Sequence, residues 1–480
     1  MAQGAFFPPA YPRNNMVVTF LGTTSGGGPT DTRNCSSLVV DAVGNGQLWM
    51  VDCAEGTVRQ FATQPYHDAR RVRISDIKKV FITHMHADHT MGLITLLRNA
   101  LGIHKGDPHE APREERPVRA PKIEIYGPRG MRQFVRTIFS LTHTRSADQY
   151  CVHELLMPGE TASASGNDIE ELHPSEEPGT NIPCDADGYW REVTSHKLHG
   201  GSNHVVVDAG PIVHRDPCIG YIFREDLNLY PTLEDSEAPY KITPRMIVAL
   251  GDTSDPSALA PLVAEAKGAA VSLLVHEATD AWMPPHVDRD QRTGRNRTER
   301  SVMERAVEKG HSTPAMAGHF ARQIGAERLA LNHIGARFPA PPHAAHTPRD
   351  KFRRDCMAEL EAQATRAWAP ANGARAMAVQ DYDRIVVPPN AIVSTSAQDE
   401  GDDMYEDAEH GQSGSTRHGL PPKPGVPGGH GRYRGHGGHH GDSRKRENSG
   451  GQAGRREGGD SKGRHWDQKK QRRHDDGAGY

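Results

Sequence analysis

Three histidines and one aspartate fall within six positions, His84-Met85-His86-Ala87-Asp88-His89. The β-branched run VFIT leads into them and the apolar stretch MGLITLLRNALGI leads out, so the group sits where a strand gives way to a helix. Two imidazoles at i and i+2 of an extended segment point the same way and can chelate one ion, whereas Asp88 and His89, in the turn opening the helix, point elsewhere. One ion cannot use all four side chains, but two neighbouring ions can if other segments supply the missing donors. Three such donors lie downstream: His214 in VHRDPCIGYIF, Asp252 in a Gly-Asp-Thr step after a buried-type strand, and His333 at the end of another strand. They complete a dinuclear arrangement with His84, His86 and His214 on one ion, Asp88, His89 and His333 on the second, and Asp252 bridging. Ions about 3.5 to 4 Å apart activate a shared water and clamp a phosphoryl group during in-line displacement. Imidazole and carboxylate donors without thiolate suit zinc, manganese or iron.

Residues so far apart in the chain need a scaffold that gathers them. Between about residue 16 and 390 short apolar runs alternate with amphipathic helical stretches and no internal repeat occurs, which predicts an α/β core. Strand-like runs repeatedly end in a polar residue: LWMVD at Asp52, KKVFITH at His84, RMIVALGD at Asp252, VSLLVH at His276 and ERLALNH at His333. Five such endings predict that the strand termini converge on one edge, where α/β folds place their sites. The polar, Pro/Gly-rich stretches 104–120 and 158–203 read as surface insertions. The helical stretch DKFRRDCMAELEAQATRAW is followed by ARAMAVQDYDRIVV, an alternating segment able to close the sheet.

With these residues in hand, the sequence from about 17 to 340 resembles the tRNase Z family of the metallo-β-lactamase superfamily, endonucleases that remove the 3′ trailer of precursor tRNA. The likeness rests on HxHxDH together with FLGTTSGGGPTDTRNCSS, VDCAEGTVRQ, IYGPRG, HRDPCIGY, LGDT, LVHEATD, and the HST triplet at 311–313. It implies the αββα sandwich, two zinc ions per chain on the seven ligands above, attack on the phosphodiester by metal-activated water, and precursor tRNA as partner. It also implies that His311 protonates the departing 3′ oxygen, Ser312 and Thr313 capping the following helix and Pro314 occupying its first turn. Asp88 is a second catalytic candidate, as acceptor of the water's proton. His276 and Glu277, with Asp52 and Glu55, are expected to orient the ligands. Gly26–Gly28 with Thr30, Arg33 and Asn34 forms a polar loop suited to phosphate or the acceptor end.

The sequence departs from the family at three places. Ala54 stands where the family has glycine, and the last motif reads His333-Ile-Gly-Ala-Arg337-Phe338 rather than His-Phe-Ser-x-Arg-Tyr. Only 38 positions separate His214 from Asp252, too few for the arm that grips the tRNA elbow in family members. The net charge of -4 also hides an asymmetry, because residues 411–480 carry +8 and residues 1–410 therefore -12. A basic tail in which 19 of 70 residues are glycine has almost nothing to bury. We therefore expect a catalytic domain over 1–395 and a disordered acidic-then-basic tail over 396–480, able to slide on a polyanion. No apolar run reaches membrane-spanning length, and the opening residues lack the pattern of a secretory signal. The six cysteines are scattered without a CxxC pair, which fits a reducing compartment, cytoplasmic or nuclear. A homodimer is compatible with the sequence. Hydrolysis of small phosphodiesters such as cyclic nucleotides, or an RNA-binding scaffold role, are the competing readings.

Overall fold

The computed structural model describes residues 14–65, 71–106, 119–196, 203–226, 240–241, 243–266, 268–342, 347–389 and 393–394. The tail, its expected boundary at 395/396, and residues 227–239 and 242 of the short interval before Asp252 lie outside them.

Seventeen strands and eight helices are described in chain order. The first half supplies β1 (Met16–Gly22), β2 (Ser37–Asp41), β3 (Leu48–Val51), α1 (Thr57–Thr63), β4 (Ile77–Phe81), α2 (Ala87–Thr90), α3 (Leu93–Ala100), β5 (Ile123–Pro128), α4 (Met131–Leu141), β6 (Tyr150–Leu156) and β7 (Asn181–Pro183). The second supplies β8 (Trp190–His196), β9 (Val205–Ile212), β10 (Cys218–Glu225), β11 (Tyr240–Lys241), β12 (Arg245–Ala249), α5 (Ala260–Glu265), β13 (Ala270–Glu277), α6 (Glu299–Glu308), α7 (Pro314–Gln323), β14 (Leu329–Asn332), α8 (Pro348–Trp368), β15 (Met377–Ala378), β16 (Arg384–Val387) and β17 (Val393–Ser394).

One sheet runs β16-β1-β2-β3-β4-β5-β6-β7 and the other β15-β14-β13-β12-β10-β9-β8, while β11 and β17 pair separately. Each sheet is antiparallel on one side and parallel on the other: β3 to β7 run parallel in the first, and β12 to β15 in the second. The expected segment after α8 closes both sheets, since β15 extends the second and β16 caps the first against β1.

Strand parity builds the layers. In β4, Val80 packs under α3 and α4 while its neighbour Phe81 faces the opposite sheet; in β13, Leu274 faces α7 and α8 while Leu273 and Val275 face inward. Three apolar clusters follow, one between the sheets and one beneath each helix layer, which is the αββα sandwich. All five residues of β12 are buried, as strands covered on both faces must be. Stretch 158–203, expected as a surface insertion, is instead partly integrated, contributing β7 and β8. The fully buried Arg132 donates through both terminal nitrogens to the carbonyls of Ala164 (2.8 Å), Val152 (3.0 Å) and Thr180 (3.1 Å) and to Asn181 Oδ1 (2.8 Å), which offsets the cost of burying its charge. Among the described residues no helix is long and apolar enough to cross a membrane.

Candidate metal centre

The parallel halves of the two sheets end on one edge, and the strand endings meet there. Three residues past β4 comes His84; α2 then carries Asp88 and His89. Gly92 follows because a Cβ there would lie 1.9 Å from the Ala54 carbonyl oxygen. That contact, with Cys53 N–H donating to His89 O (2.7 Å) and Gly92 N–H to Cys53 O (2.8 Å), locks the His/Asp turn against the segment after β3. From the second sheet come His214 between β9 and β10, Asp252 beyond β12 and His333 just past β14. Asp52 and His333 both adopt left-handed backbone conformations, with φ of 56° and 50°. Such strain at a non-glycine residue is held in place by surrounding contacts and concentrates at sites.

Donor atoms of His84, His86, His214 and Asp252 all lie within 4.8 Å of one another, as do those of Asp88, His89 and His333. His84 Nε2 sits 2.9 Å from His86 Nδ1, and His214 Nε2 3.4 Å from the same atom. Asp252 lies between the two groups: Oδ1 is 3.3 Å from both His89 Nε2 and His333 Nε2, and Oδ2 is 3.8 Å from His84 Nε2. Asp88 Oδ2 is 3.5 Å from His333 Nε2 and 3.8 Å from His89 Nε2, and it accepts a hydrogen bond from Gly26 N–H (3.0 Å). The structure thus gathers all seven residues singled out as ligands.

The outer partners determine which ring nitrogens are free. Asp52 Oδ2 accepts from Thr83 Oγ1 (2.9 Å), so that hydroxyl accepts in turn from His84 Nδ1 (3.0 Å). Asp52 also accepts directly from His89 Nδ1 (2.7 Å). Across the site, Thr279 Oγ1 donates to Glu277 Oε2 (2.5 Å) and accepts from His333 Nδ1 (3.0 Å). His214 Nδ1 donates to Gly310 O (2.6 Å), and His86 Nε2 to Asp216 Oδ2 (2.7 Å). By this donor inventory every imidazole is tied by one nitrogen and turns an unprotonated one inward, the form a metal requires. His89 Nε2 and His333 Nε2 are buried with no hydrogen-bond partner, and the inward nitrogens His84 Nε2 and His86 Nδ1, both unprotonated by this inventory, stand 2.9 Å apart, which calls for a cation between them. The donor set therefore fits metal.

Electrostatics divide the ligands: against its burial, Asp252 and Asp52 raise the His89 pKa well above the ordinary histidine range, so the carboxylates there draw in positive charge, a proton or a metal, whereas His84 goes the other way. Burial, then the neighbouring imidazoles, hold His84 far below the usual histidine range, keeping it neutral. Burial opposes ionisation of Asp252, yet His333 and His89 hold its carboxyl well below the usual range. Burial also pushes the thiol of Cys218, 3.6 Å from His84 Nδ1, well above its ordinary value, so no thiolate joins the set.

His311 stands at the rim, its side chain 13% exposed. Its Nδ1 lies 3.1 Å from Glu277 Oε1 and 3.7 Å from Asp252 Oδ2. His311, Asp252 and His333 could also share an ion. The Nδ1 hydrogen bond to Glu277 instead occupies that nitrogen and leaves Nε2 for other chemistry. Burial opposes protonation, but the Glu277 hydrogen bond and charge, with Asp252, raise the His311 pKa above its ordinary value.

Several sequence expectations need correction. Thr313 occupies the position before α7, but neither it nor Ser312 caps: Ser312 Oγ donates to Thr253 O (2.6 Å), tying the HST segment to the loop carrying Asp252. Glu277 orients ligands, but its neighbour His276 points the other way along β13, into the helix layer against Phe320. Asp52 serves the site whereas Glu55 is exposed, its backbone carbonyl accepting from Asn34 Nδ2 (3.0 Å). Arg33 is buried and spent on Thr23 Oγ1 (2.7 Å) and Val379 O (2.6 Å), so of the expected phosphate loop only the Gly26 amide reaches the centre. Arg337 is exposed and donates to Thr293 O (3.2 Å). Thr83, Thr279 and Asp216 were not anticipated.

Comparison with known proteins agrees with this geometry. Residues 30–144 match the family model of the metallo-β-lactamase superfamily. Human zinc phosphodiesterase ELAC protein 1 is 30% identical over 393 residues, covering 73% of this chain and 93% of that protein. Ribonuclease Z of Brevibacillus brevis is 31% identical over 330 residues, covering 67% of this chain and 86% of that protein. The crystal structure of the short form of human tRNase Z (ELAC1) is 27% identical with a TM-score of 0.48, covering 78% of this chain and 99% of that one. With these relatives matched along most of their length, the chain belongs to the ribonuclease Z (zinc phosphodiesterase ELAC) family of the metallo-β-lactamase superfamily.

Proposed function

We propose that this chain is a zinc-dependent endoribonuclease that removes the 3′ trailer of precursor tRNA, with His84, His86 and His214 on one ion, Asp88, His89 and His333 on a second, and Asp252 bridging. The observation carrying the reading is the pair of donor groups flanking Asp252, with His311 beside them. Bound zinc supplies Lewis-acid activation of water and charge neutralisation at the phosphate.

The chain's own residues do the rest. Asp52 and Glu277 hold four of the outer bonds and so fix the inward nitrogens before substrate arrives. Asp88, whose Oδ2 faces His89 and His333 and accepts from the Gly26 amide, takes up the proton of the attacking water. His311, charged through Glu277, delivers a proton from Nε2 to the 3′ oxygen that leaves the trailer phosphate.

Incubation of the purified protein with a trailer-bearing precursor tRNA, with and without chelator, tests this. We expect a discrete cut leaving a 3′ hydroxyl on the tRNA, loss of cutting with chelator and rescue by zinc. Metal analysis should return close to two ions per chain, and Asp252→Ala should abolish turnover. Hydrolysis of cyclic nucleotides or bis-p-nitrophenyl phosphate without any cut in the tRNA would move the assignment to small phosphodiesters.

A further inference from the structure

Beyond the metal centre, the far ends of α3 and α4 enclose a groove of about 620 Å³. Its walls carry Arg98, His104, Lys105, His143 and Arg145 with the 67%-exposed Ile103, and no carboxylate lines it. This is unusual in a body whose first 410 residues carry -12. Neither Lys105, His143 nor Arg145 is in an ion pair with any described residue.

The groove is built in advance. Ile103 bridges Ser146 in antiparallel fashion, Ala147 N–H donates to Gly102 O (3.3 Å) and Asp148 N–H to Leu101 O (3.0 Å), joining the two walls. Arg98 Nη1 donates to Gly102 O (3.3 Å). His143, just past α4, is held in the left-handed region with φ of 49°. Its N–H and that of Thr144 turn back to Ser140 O (3.1 Å) and Phe139 O (2.9 Å). That strained turn presents Thr142, His143, Thr144 and Arg145 in succession on the groove. α3 starts four residues after His89 and runs eight residues, roughly 12 Å. Arg98, near the end of α3, therefore stands about one helix length from the turn that carries Asp88 and His89.

We infer that this groove is a phosphate-backbone site for the RNA substrate, taking the electrostatic role that the short interval between His214 and Asp252 leaves open. The inference rests on the proposed RNA cleavage but concerns residues that touch none of the metal ligands. Cationic side chains on a preformed wall neutralise phosphates without reading sequence, so their worth is salt-dependent.

The test is a Lys105→Glu/Arg145→Glu double variant of the full, zinc-loaded chain, compared with wild type between 50 and 200 mM salt (about the range over which phosphate contacts are read). We expect KM for trailer-bearing tRNA to rise about tenfold or more and the logarithmic salt slope to shrink by about 1.5, while bis-p-nitrophenyl phosphate hydrolysis is unchanged. If the nitrophenyl activity falls, the Lys105→Gln/Arg145→Gln pair repeats the measurement on a folded chain. Unchanged KM and salt slope in a variant with full nitrophenyl activity overturn the inference. If wild type binds but does not cut the tRNA, the cleavage reading fails by itself; direct binding of the same RNA then decides, a wild-type affinity in the double variant refuting the groove and a weakened one supporting it.

Discussion

Replacing Thr279 by Val keeps the shape of the side chain and removes only its hydroxyl. That hydroxyl joins His333 Nδ1 (3.0 Å) to Glu277 Oε2 (2.5 Å), so Thr279→Val leaves one donor and one carboxylate oxygen unpaired in a site where His333 is 3% and Glu277 2% exposed. Orphaning a buried polar group costs about 1 to 3 kcal/mol, and loss of an outer partner of a metal ligand lowers affinity about 10- to 100-fold. The loss should fall on the ion proposed for Asp88, His89 and His333, because the ring of His84 is oriented by its own relay through Thr83. Competition against a chelator of known affinity, following the two ions separately, measures it. We expect the second ion to weaken about 10- to 100-fold with the first unchanged, nitrophenyl phosphodiester turnover to recover in excess zinc, and Thr279→Ser to behave as wild type. Wild-type affinity for both ions in Thr279→Val would refute the relay.

Other outcomes follow from the same geometry. His311→Ala should keep its metal yet lose roughly 10²- to 10⁴-fold in rate on RNA, and little on an activated nitrophenyl ester whose leaving group scarcely needs a proton. Gly251→Ala should destabilise the fold by about 1 to 3 kcal/mol in denaturant titration, since its Cβ would meet Thr83 Cβ at 2.6 Å and Cys218 Sγ at 2.7 Å. Burial, reinforced by Lys79 and Arg132, lowers the His153 pKa from 6.5 to about 4. Between those values the unfolded chain binds a proton that the folded one refuses, so stability is full above pH 6.5 and falls as pH drops toward 4, by up to about 3 kcal/mol. His153→Gln, which still offers an acceptor to Thr180 N–H, should flatten that slope in melts taken across the window.

The convergence of the seven candidate residues was legible because their chemistry is local: HxHxDH spans six positions, and His214, Asp252 and His333 announce themselves as polar residues beside apolar strands. The layers were legible for the same reason, through alternation. What escaped were contacts with no spacing rule. Thr83 and Thr279 look like ordinary strand-end residues, and only the fold shows that each links an imidazole to a buried carboxylate. Parity could have separated His276 from Glu277, since neighbours in a strand face opposite ways. Arg33 looked like a phosphate binder because nothing in its neighbourhood reveals Val379, 346 positions away, as its acceptor.

The division of ligands between the sheets has a consequence for how the molecule is maintained. His84, His86, Asp88 and His89 follow strands of the first sheet, while His214, Asp252 and His333 belong to the second. Each ion would thus be a cross-link between halves of the sandwich distant in sequence, and its binding energy would count toward folding. Zinc supply would then set the lifetime of the folded enzyme as well as its rate. A newly made chain starved of zinc would be exposed to proteolysis along the seam between its halves, and its abundance would follow the metal status of the cell.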